Sequence, residues 1–177
     1  MEAALAVTPP AVTESKMQAV LMRWAMEEKK HQLAIPNATI VYSWEADLLS
    51  VTSSWLTHEF EIKLSKSDHR ADFKKVKHYR FSQQWQYGKG KRLEHTPNYF
   101  WFATYGYEVD ATTLLPPYAG WLTVEWHERS GVFMVKVQRA APRLHTEKMR
   151  ENTRLKLGRW LSFKLKNMYR IAYLQRD

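Results

Sequence analysis

A single α/β domain built on a mixed central sheet is the fold class this sequence predicts, and three observations predict it. At 177 residues, 45% hydrophobic and 14% aromatic, the chain can bury one good core and is short for two. Its apolar pattern starts at helical spacing, gives way to short β-branched and aromatic runs, and returns to helical spacing at the end. The resulting order of helix, strands, helix, strand, strands, helix is an α/β arrangement.

Each element has its own justification. Thr13 reads as an N-cap, and Met17, Val20, Leu21, Trp24 and Glu28 follow at helical spacing, so a helix is expected over residues 14–32, ended by Pro36-Asn37. Strands are expected at 39–43, 46–51 and 55–63, with the first two readable as one bent strand. Ser67 and Asp68 are placed to cap a helix over 68–80, with Phe73 and Val76 inward and Lys74, Lys75 and Lys77 outward. Residues 83–97 have glycines, charge and no periodicity and read as a mobile loop. "NYFWFAT" (98–104) reads as a strand covered on both faces, and "AGWLTVEWHE" with "GVFMVKVQ" as a hairpin. From Thr146 to Leu174 a long helix is expected, burying Leu157, Leu161, Leu165, Met168 and Ala172.

The opening "MEAALAVTPPAVTES" has neither a basic n-region nor a long apolar run, so no signal peptide or membrane anchor is expected. Residues 1–12 read as a flexible N-terminus and 13–177 as the domain, soluble and cytoplasmic. The chain has no cysteine, which excludes a disulfide framework and leaves only O or N ligands for a metal. Oligomeric state stays open, a homodimer included.

The net charge of +9 is concentrated. Residues 62–92 hold ten basic residues against two acidic, and residues 139–177 hold eleven against three. Two such segments suit a polyanion-binding face, with DNA ahead of an anionic membrane because neither segment is a clean amphipathic helix with its apolar face free. Lys66, Arg70, Lys74, Lys75, Lys77 and His78 in the first segment, and Arg159 and Arg170 in the second, are the expected phosphate contacts. Ser65 and Ser67 suit caps or phosphate donors. Trp85 and Tyr87, in the expected loop, suit stacking on unpaired bases or packing in the core.

Asp47 in "EADLLSV" and Glu61-Ile62-Lys63 at the end of "HEFEIK" put two acids and a lysine into segments that otherwise read as core strands. Buried carboxylates need compensation, which a divalent cation held between neighbouring strands or an ordinary cross-strand ion pair can supply. By spacing alone the ion pair is the plainer reading. Glu45 and Glu59 are expected to face away from Asp47 and Glu61, and Asp68 and Asp72 to pair with Lys75 and with Arg70 or Lys74. The histidines show no metal-ligand spacing.

The whole arrangement resembles the PD-(D/E)XK nuclease superfamily, the restriction-endonuclease-like fold. There an N-terminal helix precedes a strand carrying an aspartate, here Asp47, and a neighbouring strand carries (D/E)-x-K before a helix, here Glu61 and Lys63. "WEADLL", "EFEIKLSKSDHRADFKKVKH", "PNYFWFAT" and "LPPYAGWL" are similar to the MmcB-like DNA-repair proteins over residues 37–123. The "PD" proline is absent, Ala46 standing in its place. The resemblance implies a DNA hydrolase dependent on Mg2+ or Mn2+, acting in repair, recombination or phage DNA processing. Asp47 and Glu61 would be its metal ligands, Lys63 would position or activate water, and Glu14, or else Glu28, would be the first-helix glutamate. The alternatives are a nuclease-fold DNA-binding module without useful turnover, and a structural protein whose acids form salt bridges.

Overall fold

The computed structural model describes residues 11–93 and 95–173; residues 1–10 of the expected flexible N-terminus lie outside them. The chain forms one α/β domain around a six-stranded mixed sheet in the order β1-β2-β3-β4-β5-β6. Strands β1 (Leu33–Ala38), β2 (Ala46–Val51) and β3 (Thr57–Lys63) make an antiparallel meander. Strands β4 (Tyr99–Thr104) and β5 (Ala119–His127) then run parallel to β3, and β5 turns back into β6 (Val132–Arg139) as an antiparallel hairpin. Helices α2 (Lys66–Asp72) and α3 (Val76–Tyr87) fill the crossover from β3 to β4, short α4 (Ala111–Leu114) lies between β4 and β5, and α5 (Glu151–Tyr173) closes the described chain.

Side-chain alternation along the strands produces two cores. On one face Leu48, Phe60, Ile62, Trp101, Ala103 and Leu122 pack against Met17, Leu21, Trp24 and Ala25 of α1 (Glu14–Arg23) and its π-helical continuation (Trp24–Glu28). On the other face Phe100 and Phe102 meet Phe81 of α3, while Ile35, Ala38, Leu49 and Val51 meet Met149, just before α5, and Leu157 of α5. Both basic segments therefore sit over the same side of the sheet, since Leu49 and its cross-strand partner Glu59 share a face with Glu61, and Phe102 stands beside Glu61.

The α1 N-cap is as expected, with the Thr13 hydroxyl accepting from Lys16 N at 3.2 Å. The helix stops earlier than expected, because the π turn ends with Lys29 N on Trp24 O and Lys30 takes φ +57°, left-handed backbone that breaks the helix. The released residues form β1, and segment 39–43 is a bend instead of a strand. Pro36 is tolerated in β1 because β1 is an edge strand and the missing donor costs no ladder bond. The expected loop 83–97 is shorter, since α3 runs to Tyr87 and carries Trp85 and Tyr87 on its last turn.

Helix α5 departs from its expected buried stripe. Leu157 is buried and Leu161 half-buried, but Leu165 and Met168 are 55% and 66% exposed and Ala172 is exposed too. Lys164 Nζ donates to the Pro36 carbonyl at 2.8 Å on edge strand β1, and residues 165–172 after it are all exposed. No described helix is long and apolar enough to cross a membrane.

This division of α5 has a measurable consequence. Leu157→Ala should cost about 2–5 kcal/mol in urea unfolding, as a buried leucine truncated to leave a cavity, whereas Leu165→Ala and Met168→Ala should stay within about 0.5 kcal/mol.

Candidate active site

Antiparallel pairing of β2 with β3 brings the two acids of the motif together. The register runs Leu49 to Glu59 and Leu48 to Phe60, which sets Asp47 opposite Glu61 at the end of the ladder. The Asp47 carboxylate leans across the gap, and its Oδ2 accepts from Ile62 N at 2.7 Å. Helix α1 ties into the same point through Gln18, whose amide donates to the Asp47 carbonyl at 2.9 Å, to Asn37 Oδ1 at 2.6 Å and to Glu14 Oε1 at 3.3 Å. Glu14 is thus beside Asp47, exposed on the first turn of α1. Glu28 is exposed at the far end of the π turn, about 20 Å along the helix from Glu14 at 1.5 Å per residue.

Beneath α2 and α3 lies an ionic cluster. Glu61 is 1% exposed; its Oε1 accepts from Lys63 Nζ at 3.0 Å and Lys75 Nζ at 2.6 Å, and its Oε2 accepts from Lys77 Nζ. Asp72 Oδ1 accepts from Lys63 Nζ at 3.0 Å and pairs with Lys75 Nζ at 2.5 Å, and Asp72 Oδ2 lies 2.6 Å from His78 Nε2. The other ring nitrogen of His78 meets the Tyr118 hydroxyl at 2.9 Å. Glu59 completes the set: its Oε1 accepts from Trp44 Nε1 at 2.9 Å and Lys77 Nζ at 3.1 Å, while its Oε2 is buried without a partner among the described residues. Three buried carboxylates thus face three ammonium groups, the condition under which burying such charges is tolerable.

The electrostatic consequences follow from these contacts. Burial raises the Asp47 pKa first and the Glu61 charge beside it second, against the opposing Ile62 hydrogen bond, so that it is pushed up to about 7. Burial also lifts Glu59 despite Lys77. Burial would likewise raise Asp72, but the bonds from His78 and Lys75 and the Lys63 charge hold it well below the usual carboxylate range. Lys63 and Lys77 lose hydration on burial, yet their carboxylate partners overcome this and raise both above the ordinary lysine value.

The structure separates the expected phosphate contacts into two groups. Lys66, Arg70 and Lys74 are exposed, as are Arg159 and Arg170 on α5. Lys75 is half-exposed along its stem while its ammonium reaches Glu61 and Asp72. Lys77 and His78 are corrections: they are 3% and 5% exposed, and both point into the cluster. Helical spacing from inward Phe73 already favours an inward Lys77 four residues on; α2 ends at Asp72 and Lys75 is extended at ψ 136°, so α3 restarts with a new phase that aims both Lys77 and His78 at the sheet. Glu59 is a second correction. Residues 59 and 61 of one regular strand share a face, and Glu59 points with Glu61 into the cluster. Asp72 pairs with Lys75 as expected, though its bonds to Lys63 and His78 were not foreseen. Ser65 caps α2 by accepting from Asp68 N at 3.2 Å.

A groove of about 500 Å³ opens over the cluster between residues 43–45 and the start of α3, lined by Trp44, Glu45, Lys75, Lys77 and Arg80. Asp47 and Glu61 are hard oxygen donors, and the Glu61 charge helps raise the proton affinity of Asp47, a pairing that suits a divalent cation. No group of three or more acids and histidines is poised to hold an ion among the described residues. Both Glu61 oxygens are held by lysines, so a cation there has to displace an ammonium. Half-exposed Lys75 is the one able to swing out, and water or a phosphate has to supply the remaining ligands.

If the cluster anchors α3, Lys77→Met should destabilise the fold by about 3–5 kcal/mol, because it strands Glu59 and Glu61 without that ammonium. Lys74→Ala, on the exposed side, should shift urea stability by less than about 0.5 kcal/mol.

No protein-family model and no curated protein matches the chain. Among solved structures it is similar to SPO1766, a protein of unknown function from Silicibacter pomeroyi, at 13% identity and a TM-score of 0.60, over 98% of this chain and 97% of that one. At that identity the likeness is one of fold.

Proposed function

We propose that this protein is a metal-dependent DNA nuclease of the PD-(D/E)XK kind, hydrolysing phosphodiesters at the Asp47–Glu61 pair, with the groove lined by Lys75 and Lys77 beside it. The observation that carries the reading is the meeting of these two acids across β2 and β3, with Glu14 behind Asp47 and the Lys63 ammonium on Glu61. The order of elements adds support. An N-terminal helix, a strand bearing the aspartate, a neighbouring strand bearing Glu-x-Lys and a helical crossover is what the family resemblance implies.

Asp47 and Glu61 would hold Mg2+ or Mn2+, which when bound supplies Lewis-acid charge to a phosphate and its attacking water. The chain's own residues do the rest. Lys63, fixed between Glu61 and Asp72, presents a raised-pKa ammonium that orients water or steadies developing negative charge and is a poor proton acceptor. His78 and Lys77 act through Asp72 and Glu61, holding them in place. Lys66, Arg70 and Lys74, with Arg159 over the same side of the sheet and Arg170 further along α5, offer charge to the DNA backbone.

A second reading has its own observation. Lysines saturate both oxygens of Glu61, as befits a nuclease-fold DNA-binding module without turnover.

Incubating plasmid, single-stranded and branched DNA with and without Mn2+ separates the two. The nuclease reading expects Mn2+-dependent cleavage that falls by more than about 100-fold in Asp47→Asn and in Lys63→Ala while circular dichroism stays native. DNA binding with no cleavage of any substrate by the wild type would favour the binding module.

A further inference from the structure

Helix α3 turns Lys77, His78, Phe81 and Gln84 toward the sheet, which leaves Val76, Tyr79, Gln83 and Tyr87 on its outward stripe. Val76, Tyr79 and Tyr87 are 68%, 66% and 61% exposed. A lone exposed tyrosine is unremarkable, but these two share one face within a stretch of singular charge. Residues 73–93 contain no aspartate or glutamate, and Lys74, Lys75, Lys89 and Lys91 are exposed at the two ends of the helix.

Duplex DNA requires only cations on such a surface, because its bases are already stacked on each other. Aromatic rings between cations suit unpaired bases, whose faces are free to stack. Tyr79 and Tyr87 are eight residues apart, about 12 Å along the axis, or roughly three to four nucleotides at 3.4 Å each. The N-terminal end of the stripe adjoins the candidate site, since Lys75 directly precedes α3 and its ammonium lies 2.6 Å from Glu61 Oε1.

We infer that the outward face of α3 is a stacking platform for an unpaired DNA strand, which Tyr79 and Tyr87 grip by base stacking and lead toward Asp47 and Glu61. The inference rests on the nuclease reading only for its destination. The platform itself is a binding surface and is tested without cleavage.

Fluorescence anisotropy in the absence of divalent metal would measure affinity for a labelled 15-nucleotide single strand and for the matching duplex. Tyr79→Ala and Tyr87→Ala should each weaken single-strand binding by about tenfold, Tyr79→Phe and Tyr87→Phe should retain it, and duplex affinity should move by less than about twofold. The exposed positions make misfolding an unsuitable explanation for such selectivity. Absence of single-strand binding by the wild type, unchanged affinity in the alanine variants, or an equal fall on single strand and duplex would overturn the platform. A wild type that shows the expected selectivity yet cleaves nothing with Mn2+ would leave the platform standing and remove the nuclease. Asp47-dependent cleavage with no effect of either tyrosine would do the reverse.

Discussion

Three carboxylates buried to 1% exposure or less constrain everything around them. Glu59, Glu61 and Asp72 cannot remain charged beneath two short helices unless cations are buried with them. The cations come from three different places: Lys63 from β3, Lys75 from the break between α2 and α3, and Lys77 from the first turn of α3. A seven-residue helix such as α2 is marginal by itself, so its position depends on these tertiary contacts. The same ion pairs set the rotation of α3, and that rotation decides which of its residues face solvent.

Much of the architecture can be read from the amino-acid pattern where period and composition agree. The α1 stripe of Met17 and Leu21, the continuous apolar run of β4 and the β5–β6 hairpin all follow from it. The failures have local physical causes. Pro36 signals a break, yet an edge strand tolerates it, so β1 was hidden. Leu165 and Met168 continue a helical stripe whose periodicity carries no information about where burial along it ends.

The site was legible in part for the same reasons. Asp47 and Glu61-x-Lys63 stand out because acids in apolar strands demand compensation, and the ion-pair reading of their spacing describes part of what Glu61 does. Glu59 belongs with Glu61 by the two-residue period of a strand, so its place was available in the sequence. Lys77 was available too, four residues after inward Phe73, but the place of His78 was not, because it depends on a helix break at Phe73–Lys75 that no proline or glycine marks. Tyr118 enters only through the fold, as a partner to His78 from 40 residues away.

Asp47 differs from the other acids. It meets a backbone N–H and the charges of Glu61 and Glu14, which the more distant Lys77 charge offsets only in part, and among the described residues it makes no salt bridge; this crowding is what the proposed chemistry would use. Its carboxyl binds a proton more tightly in the folded chain than at the ordinary value of 3.8, so between about pH 4 and pH 7 folding retains a proton that unfolding releases. Its contribution to stability is therefore lost as pH rises through that window, a slope that Asp47→Asn should remove. The most direct measurement is a carbon-13 NMR titration of the Asp47 carboxyl. The account predicts a midpoint near 7 that moves down in Glu61→Gln, because a like charge has gone. A midpoint near 4 in the wild type, or one indifferent to Glu61, would contradict it.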